Sequence, residues 1–163
     1  MTCFDVPANV IEWAKRRAEK YNFTKHSMVD KKDPAGFIGE WAFHKCRPEA
    51  IHADTYDFDF ISNSTRVDVK TMKQSIPPTE DNPHNVTDKD FKQDCDVYVF
   101  CVCLNDFSKV WVVGWLKREE FFNKHATLFE KNQTYPPGNR FRNVFFFKDR
   151  TWTIDRRQTR VFR

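Results

Sequence analysis

The segments Asp57-Phe58-Asp59-Phe60 and Val67-Asp68-Val69-Lys70 carry the residue types and spacing that could do chemistry. Each alternates charged with apolar residues. Successive side chains of a strand point to opposite faces, so Asp57 and Asp59 share one face, as do Asp68 and Lys70. Ser62-Asn63-Ser64-Thr65, between them, is turn chemistry, and the whole reads as a β-hairpin. With Asn63-Ser64 centring the turn, Asp59 stands opposite Asp68 and Asp57 opposite Lys70. Three carboxylates and one amine then crowd one side, while Phe58, Phe60, Val67 and Val69 enter the core. Like charges opposed on a sheet repel, and a hard divalent cation on carboxylate oxygens would compensate. The plainer alternative is a solvent-exposed hairpin with an acidic face and Lys70 as its counter-ion.

Other elements must hold this hairpin in place. Asp5-Val6-Pro7 reads as a helix start, and Ile11, Ala14, Ala18 and Tyr21 follow at helical spacing. A second helix is expected from Asp33-Pro34 to about Cys46, with Phe37, Ile38, Trp41 and Ala42 as its apolar stripe. Gln74 to Gln93 is polar, carries three prolines and reads as a long loop. Asp96–Leu104 and Lys109–Trp115 read as buried strands joined at Asn105-Asp106. A helix is expected from Lys117 to about Lys131, then a final strand pair, Asn143–Lys148 and Thr151–Ile154. The expected class is α/β (α+β), one domain over residues 1–163 built on a central mixed sheet flanked by helices.

Composition narrows the function classes. The 163 residues are 40% apolar and 31% charged, which suits a globular chain. The 17 Phe and 5 Trp belong mostly to the core. Net charge is +4, and Arg140 to Arg163 holds eight Lys/Arg against Asp149 and Asp155. Such a basic segment, with Arg140, Arg142, Arg156 and Arg157, could track a phosphate backbone; a charged, solvated sheet edge is the ordinary alternative. Five cysteines without a CxxC pair suggest reduced thiols in a cytoplasmic compartment. Cys101 and Cys103 share one strand face and read as small buried hydrophobes. The five His lack metal-ligand spacing, which argues against zinc. No apolar run approaches the ~18 residues of a membrane span, and no signal peptide is visible at the start.

The hairpin, read as Asp57 or Asp59 followed by Asp68-Val69-Lys70, resembles the hallmark of the PD-(D/E)XK nuclease superfamily, the restriction-endonuclease-like fold. Gly36-Phe37-Ile38-Gly39-Glu40-Trp41-Ala42-Phe43 supplies Glu40 on the preceding helix, where many members carry an acid. The later apolar strands resemble small phage-type members, and the resemblance covers roughly residues 33 to 130. No Pro precedes the first Asp; Tyr56 stands there. The resemblance implies Mg²⁺ (or Mn²⁺) held by Asp59 (or Asp57), Asp68, the Val69 carbonyl and Glu40, with Lys70 orienting the attacking water and staying protonated among carboxylates. Cross-strand geometry favours Asp59 over Asp57.

A metal-dependent DNA endonuclease is therefore the expected activity, in the cytoplasm of a bacterial host if the chain is phage-encoded, with no membrane role. The 74–93 loop would close over substrate. Lys73 would contact phosphate, and Gln93, five residues before Tyr98, matches a glutamine that some superfamily members use. Double-strand cutting would favour a homodimer. Two other readings differ in class: a nucleic-acid-binding module without catalysis, and a phage protein that binds a host factor.

Overall fold

The computed structural model describes residues 1–21, 33–53, 55–80, 82–87, 93–130, 132–133, 151–155 and 159–161. The chain is mixed α/β. Strand β1 (Thr2–Asp5) precedes helix α1 (Ala8–Tyr21) and helix α2 (Ala35–Cys46). Strands β2 (Ile51–His52), β3 (Phe60–Ser62), β4 (Thr65–Gln74), β5 (Pro83–Thr87), β6 (Val97–Leu104) and β7 (Lys109–Lys117) follow. Then come a short helix α3 (Arg118–Glu120), a π-helical turn (Phe121–His125), and strands β8 (Thr127–Phe129) and β9 (Thr151–Asp155).

Two sheets result. The larger has the order β1-β7-β6-β4-β3-β2, and the smaller β5-β9-β8. The larger is mixed: β4 and β6 run parallel, with Asp68 beside Tyr98 and Lys70 beside Phe100, and its other pairs are antiparallel. Alternation along these strands divides the core. Val67, Val69, Val99, Cys101 and Cys103 face a layer that includes Ala14, Ile38, Ala42 and Phe43 of the helices. Tyr98, Phe100 and Leu116 face the other way and pack with Val86 and Ile154 of the smaller sheet and with Phe121. The larger sheet thus lies between helices and the smaller sheet. Asp68 and Lys70, two residues apart on β4, belong to the face that meets the smaller sheet.

Gly39 sets how closely α2 lies on β4. A Cβ there would come within 1.9 Å of Thr71 Oγ1, so only glycine permits this approach. The helix begins where sequence suggests, with Ala35 N–H donating to Asp33 Oδ1 at 3.0 Å. Cys101 and Cys103 are buried, as their spacing implies.

Several expectations are corrected. The chain does not enter α1 directly at Asp5: Thr2–Asp5 is a strand on β7, and Lys109 reaches the Asp5 carboxylate. The first hairpin strand is shorter than the alternation suggests, because Thr55 and Phe58 close a tight turn through the Thr55 hydroxyl. Asp57 and Asp59 therefore lie outside β3. The 74–93 stretch contains β5, whose His84 and Val86 are buried under β6, with His84 stacked on Phe100 at 5.0 Å. The helix expected over 117–131 ends after a few residues: Phe121 turns into the core, and β8 begins at Thr127. β9 matches the last expected strand but pairs with β5 and β8; its expected partner at 143–148 lies outside the described residues, as do Arg140, Arg142, Arg156 and Arg157.

Candidate active site

The site forms where β3 ends and leaves one edge of β4 uncovered. Asn63 and Ser64 adopt φ of 48° and 62°, the left-handed pair that a tight two-residue hairpin turn requires. This fixes Phe60 opposite Val67 and Ser62 opposite Thr65. One residue further, Asp59 N–H donates to the Val67 carbonyl at 2.9 Å. The Asp59 side chain then bends back, and its Oδ2 accepts the Val69 N–H at 2.7 Å. The N–H and carbonyl of a strand residue point to the same edge, so the Val69 carbonyl is aimed at this side too.

Asp68 and Lys70 complete the centre. Both side chains are largely buried, at 7% and 19% exposure, and Lys70 Nζ lies 2.8 Å from Asp68 Oδ2. Lys70 Nζ also donates to Gln93 Oε1 at 3.0 Å and stands 5.9 Å from the centre of the Tyr98 ring. A carboxylate, an amide oxygen and an aromatic face all suit an ammonium. Gln93 is itself buried, and its Nε2 donates to the Tyr56 carbonyl at 2.9 Å.

Glu40 approaches from α2. Its Oε2 lies 3.2 Å from His52 Nε2. His52 in turn packs edge-on against Phe60, with ring centres 5.0 Å apart. Burial raises the Asp59 carboxyl well above the usual carboxylate range; the nearby Asp68 and Glu40 charges add to this, while the Val69 N–H and Lys70 oppose it. Three carboxylates therefore act on one another, but the third is Glu40 of α2 and not Asp57, which the hairpin alternation placed there. Beside them the Cys95 thiol is pushed up to about 12, by burial first and then by the Asp68 charge, which leaves it unreactive.

Asp57 and Lys73 are not part of this cluster. Asp57 Oδ1 accepts the Asp94 N–H at 3.3 Å, beside the Arg66–Asp94 pair. Lys73 belongs to the helix-facing side of β4 and pairs with Asp33 at 2.6 Å. Asp59 thus lies under the influence of Asp68 and Glu40, whereas Asp57 is turned to Asp94. Sequence reasoning missed His52, which nothing in its neighbourhood marks. It also missed the clamp at the start of β4 and β6, where Arg66 N–H and Nη2 donate to the two oxygens of Asp96, each at 2.8 Å, and Arg66 also reaches Asp94. That pairing of opposite charges across thirty residues of chain has no local signature.

The donor set is the chemistry of a hard divalent cation: carboxylates of Asp59, Asp68 and Glu40, with the Val69 carbonyl beside them. Burial does most to raise Asp59, and the repulsion from Asp68 and Glu40 that adds to it is what such a cation would relieve. Among the described residues no three acidic, imidazole or thiol groups already stand as a ligand set. Each carboxylate is turned to a protein partner instead: Val69 N–H, Lys70 and His52. A cation would have to draw them inward.

No protein-family model matches the chain, and no curated protein matches it. Among the described residues, no helix is long and apolar enough to cross a membrane.

Proposed function

We propose that this chain is a metal-dependent phosphodiesterase acting on DNA, with a restriction-endonuclease-like arrangement of its sheet. One observation carries the reading: Asp59, Asp68 and Glu40 gather at the uncovered edge of β4, where burial first and then the Asp68 and Glu40 charges raise the Asp59 carboxyl, with the Lys70 ammonium 2.8 Å from Asp68. Mg²⁺ or Mn²⁺, held by Asp59, Asp68, Glu40 and the Val69 carbonyl, would supply an activated water and neutralise charge on the phosphate. Lys70, fixed by Asp68 and Gln93, would place its positive charge against the oxygen that gains charge as the P–O bond breaks. Gln93 is a positioning residue, since its partner is the ammonium. His52 would orient Glu40 in the same way. Arg140, Arg142, Arg156 and Arg157 remain candidates for the phosphate backbone on charge alone.

The test is cleavage of supercoiled plasmid and labelled oligonucleotides with Mg²⁺, Mn²⁺ or EDTA, comparing wild type with Asp68→Ala and Lys70→Ala. Metal-dependent cutting that both variants abolish supports the proposal. Cutting that survives both, or none on any substrate, would sink it. The second reading, a nucleic-acid-binding module without catalysis, draws on the protein partner that each carboxylate already has; binding without cutting would favour it.

A further inference from the structure

From the depth of the site and the residue at its rim, we infer that the DNA reaching it is an unpaired strand and that Tyr56 is the platform on which one of its bases stacks. The inference rests on the phosphodiesterase reading above and names the substrate class of that site. Asp68, Lys70, Glu40 and Gln93 all lie below the surface, with side-chain exposures of 7% for Asp68, 19% for Lys70 and 13% for Glu40. A phosphate must come into direct contact with these groups or with a cation between them. A single strand can bend to carry one phosphate inward, whereas a duplex presents its phosphates on a stiff, broad cylinder.

Tyr56 supplies the second observation. Tyr56 is 47% exposed, one of the large apolar residues open to solvent among the described residues. Exposed aromatic rings are a usual means of holding unpaired bases, because every base has a face to stack and a paired base has none to spare. The turn that carries Tyr56 is fixed: Thr55 Oγ1 donates to the Phe58 carbonyl at 2.8 Å and accepts the Phe58 N–H at 3.0 Å. The Tyr56 carbonyl receives Gln93 Nε2 at 2.9 Å, and Gln93 receives Lys70 Nζ at 3.0 Å. Two hydrogen bonds thus tie the backbone of the exposed ring to the buried ammonium. A base held on the ring would bring an adjoining phosphate toward Lys70.

The link runs through the main chain of Tyr56, so removing the ring leaves the Gln93 and Lys70 contacts in place. That makes the test clean. Fluorescence anisotropy in Ca²⁺ would compare a labelled single-stranded oligonucleotide with a hairpin-capped duplex of the same sequence, for wild type, Tyr56→Ala and Tyr56→Phe. The single strand should bind at least about ten-fold more tightly than the duplex. Tyr56→Ala should lose most of that preference and Tyr56→Phe should keep it. Equal or tighter duplex binding, a ratio unchanged in Tyr56→Ala, or binding of neither DNA overturns the inference. In parallel, wild type with Mn²⁺ is assayed on bis(p-nitrophenyl) phosphate, a diester small enough to enter without stacking. Failure to hydrolyse it counts against the phosphodiesterase reading, while the binding ratio still decides the role of Tyr56.

Discussion

Asp59 Oδ2 accepts the Val69 N–H at 2.7 Å, occupying the ladder position that another β3 backbone carbonyl would otherwise fill. The side chain extends the sheet by one bond and, in doing so, brings its charge against Asp68 and Glu40. Structure and electrostatic strain therefore meet in one residue.

A folded state that raises a carboxyl pKa holds its proton more tightly than the unfolded chain does. The Asp59 contribution is most favourable below the ordinary carboxylate range and is lost as pH rises from about 4 toward the raised folded value. Asp59→Asn keeps an oxygen for the Val69 N–H and removes the charge. Without divalent ions its melting temperature should exceed that of wild type by about 3 °C at pH 8, with the difference shrinking toward pH 4. Thermal melts across pH check this; a difference that grows toward acid would show that the carboxylates do not repel.

Divalent cations should reverse that order. A ligand that binds only the folded state raises its melting temperature. Mn²⁺ should therefore stabilise wild type and leave Asp59→Asn nearly unmoved. Calorimetric scans with and without EDTA measure it directly, and equal shifts in both proteins would remove Asp59 from the ligand set.

Gln93→Ala deprives Lys70 of an acceptor while Asp68 remains. Residues that orient an active group typically cost about 10–100-fold when removed. The loss should fall on kcat with KM little changed, and Gln93→Glu should recover part of it. A loss confined to KM would make Gln93 a substrate contact instead.

Gly39→Ala places a methyl group where Thr71 Oγ1 stands, 1.9 Å from the new atom. Overpacking of this kind costs about 1–3 kcal/mol. The double variant with Thr71→Ala should recover only part of the loss, since Thr71 Cβ at 3.1 Å and Cys101 Cβ at 3.3 Å still crowd the methyl group. Urea denaturation of both variants tests it, and a Gly39→Ala protein as stable as wild type would show that α2 lifts from β4 at little cost.

Asp96→Asn should weaken the joint between the starts of β4 and β6. The Arg66 hydrogen bonds hold the Asp96 carboxyl below the usual carboxylate range, so its stabilisation is present above that range and is lost as pH falls through the depressed folded value. Both side chains are more than a third exposed, and solvent screening keeps the effect modest. Wild type should melt a few degrees above Asp96→Asn at pH 7, the two converging in acid. A constant gap would assign the loss to packing.

Much of this arrangement was legible in the chain because its signals are local. Asn63-Ser64 announces a turn, and the turn fixes which residues oppose Phe60 and Thr65. The apolar runs at 96–104 and 109–115 became β6 and β7 because few polar residues interrupt them. Strand β1 was not legible: TCFD is short and largely exposed, and its reason to be a strand is β7. Strand β5 was hidden because Pro83, His84 and Asn85 look like loop until Ile154 and Thr153 pair with them. At the site, the face shared by Asp68 and Lys70 followed from alternation, and cross-strand pairing already favoured Asp59 over Asp57. What was not legible was the Thr55–Phe58 turn, which ends the strand early and leaves Asp57 beside Asp94.

The pairing of Asp5 with Lys109 spans 104 residues of chain, whereas the Asp59–Val69 contact spans 10 and the Glu40–His52 contact 12. Contacts close in sequence form sooner than distant ones, because they close smaller loops. A growing chain can therefore bring its acidic residues together well before β7 has been made. Until then β1 has no neighbour, and β6 lacks the strand that will cover its free side. The order of synthesis places a charged, incompletely walled centre ahead of the sheet that encloses it, and the first four residues of β1 dock among the last.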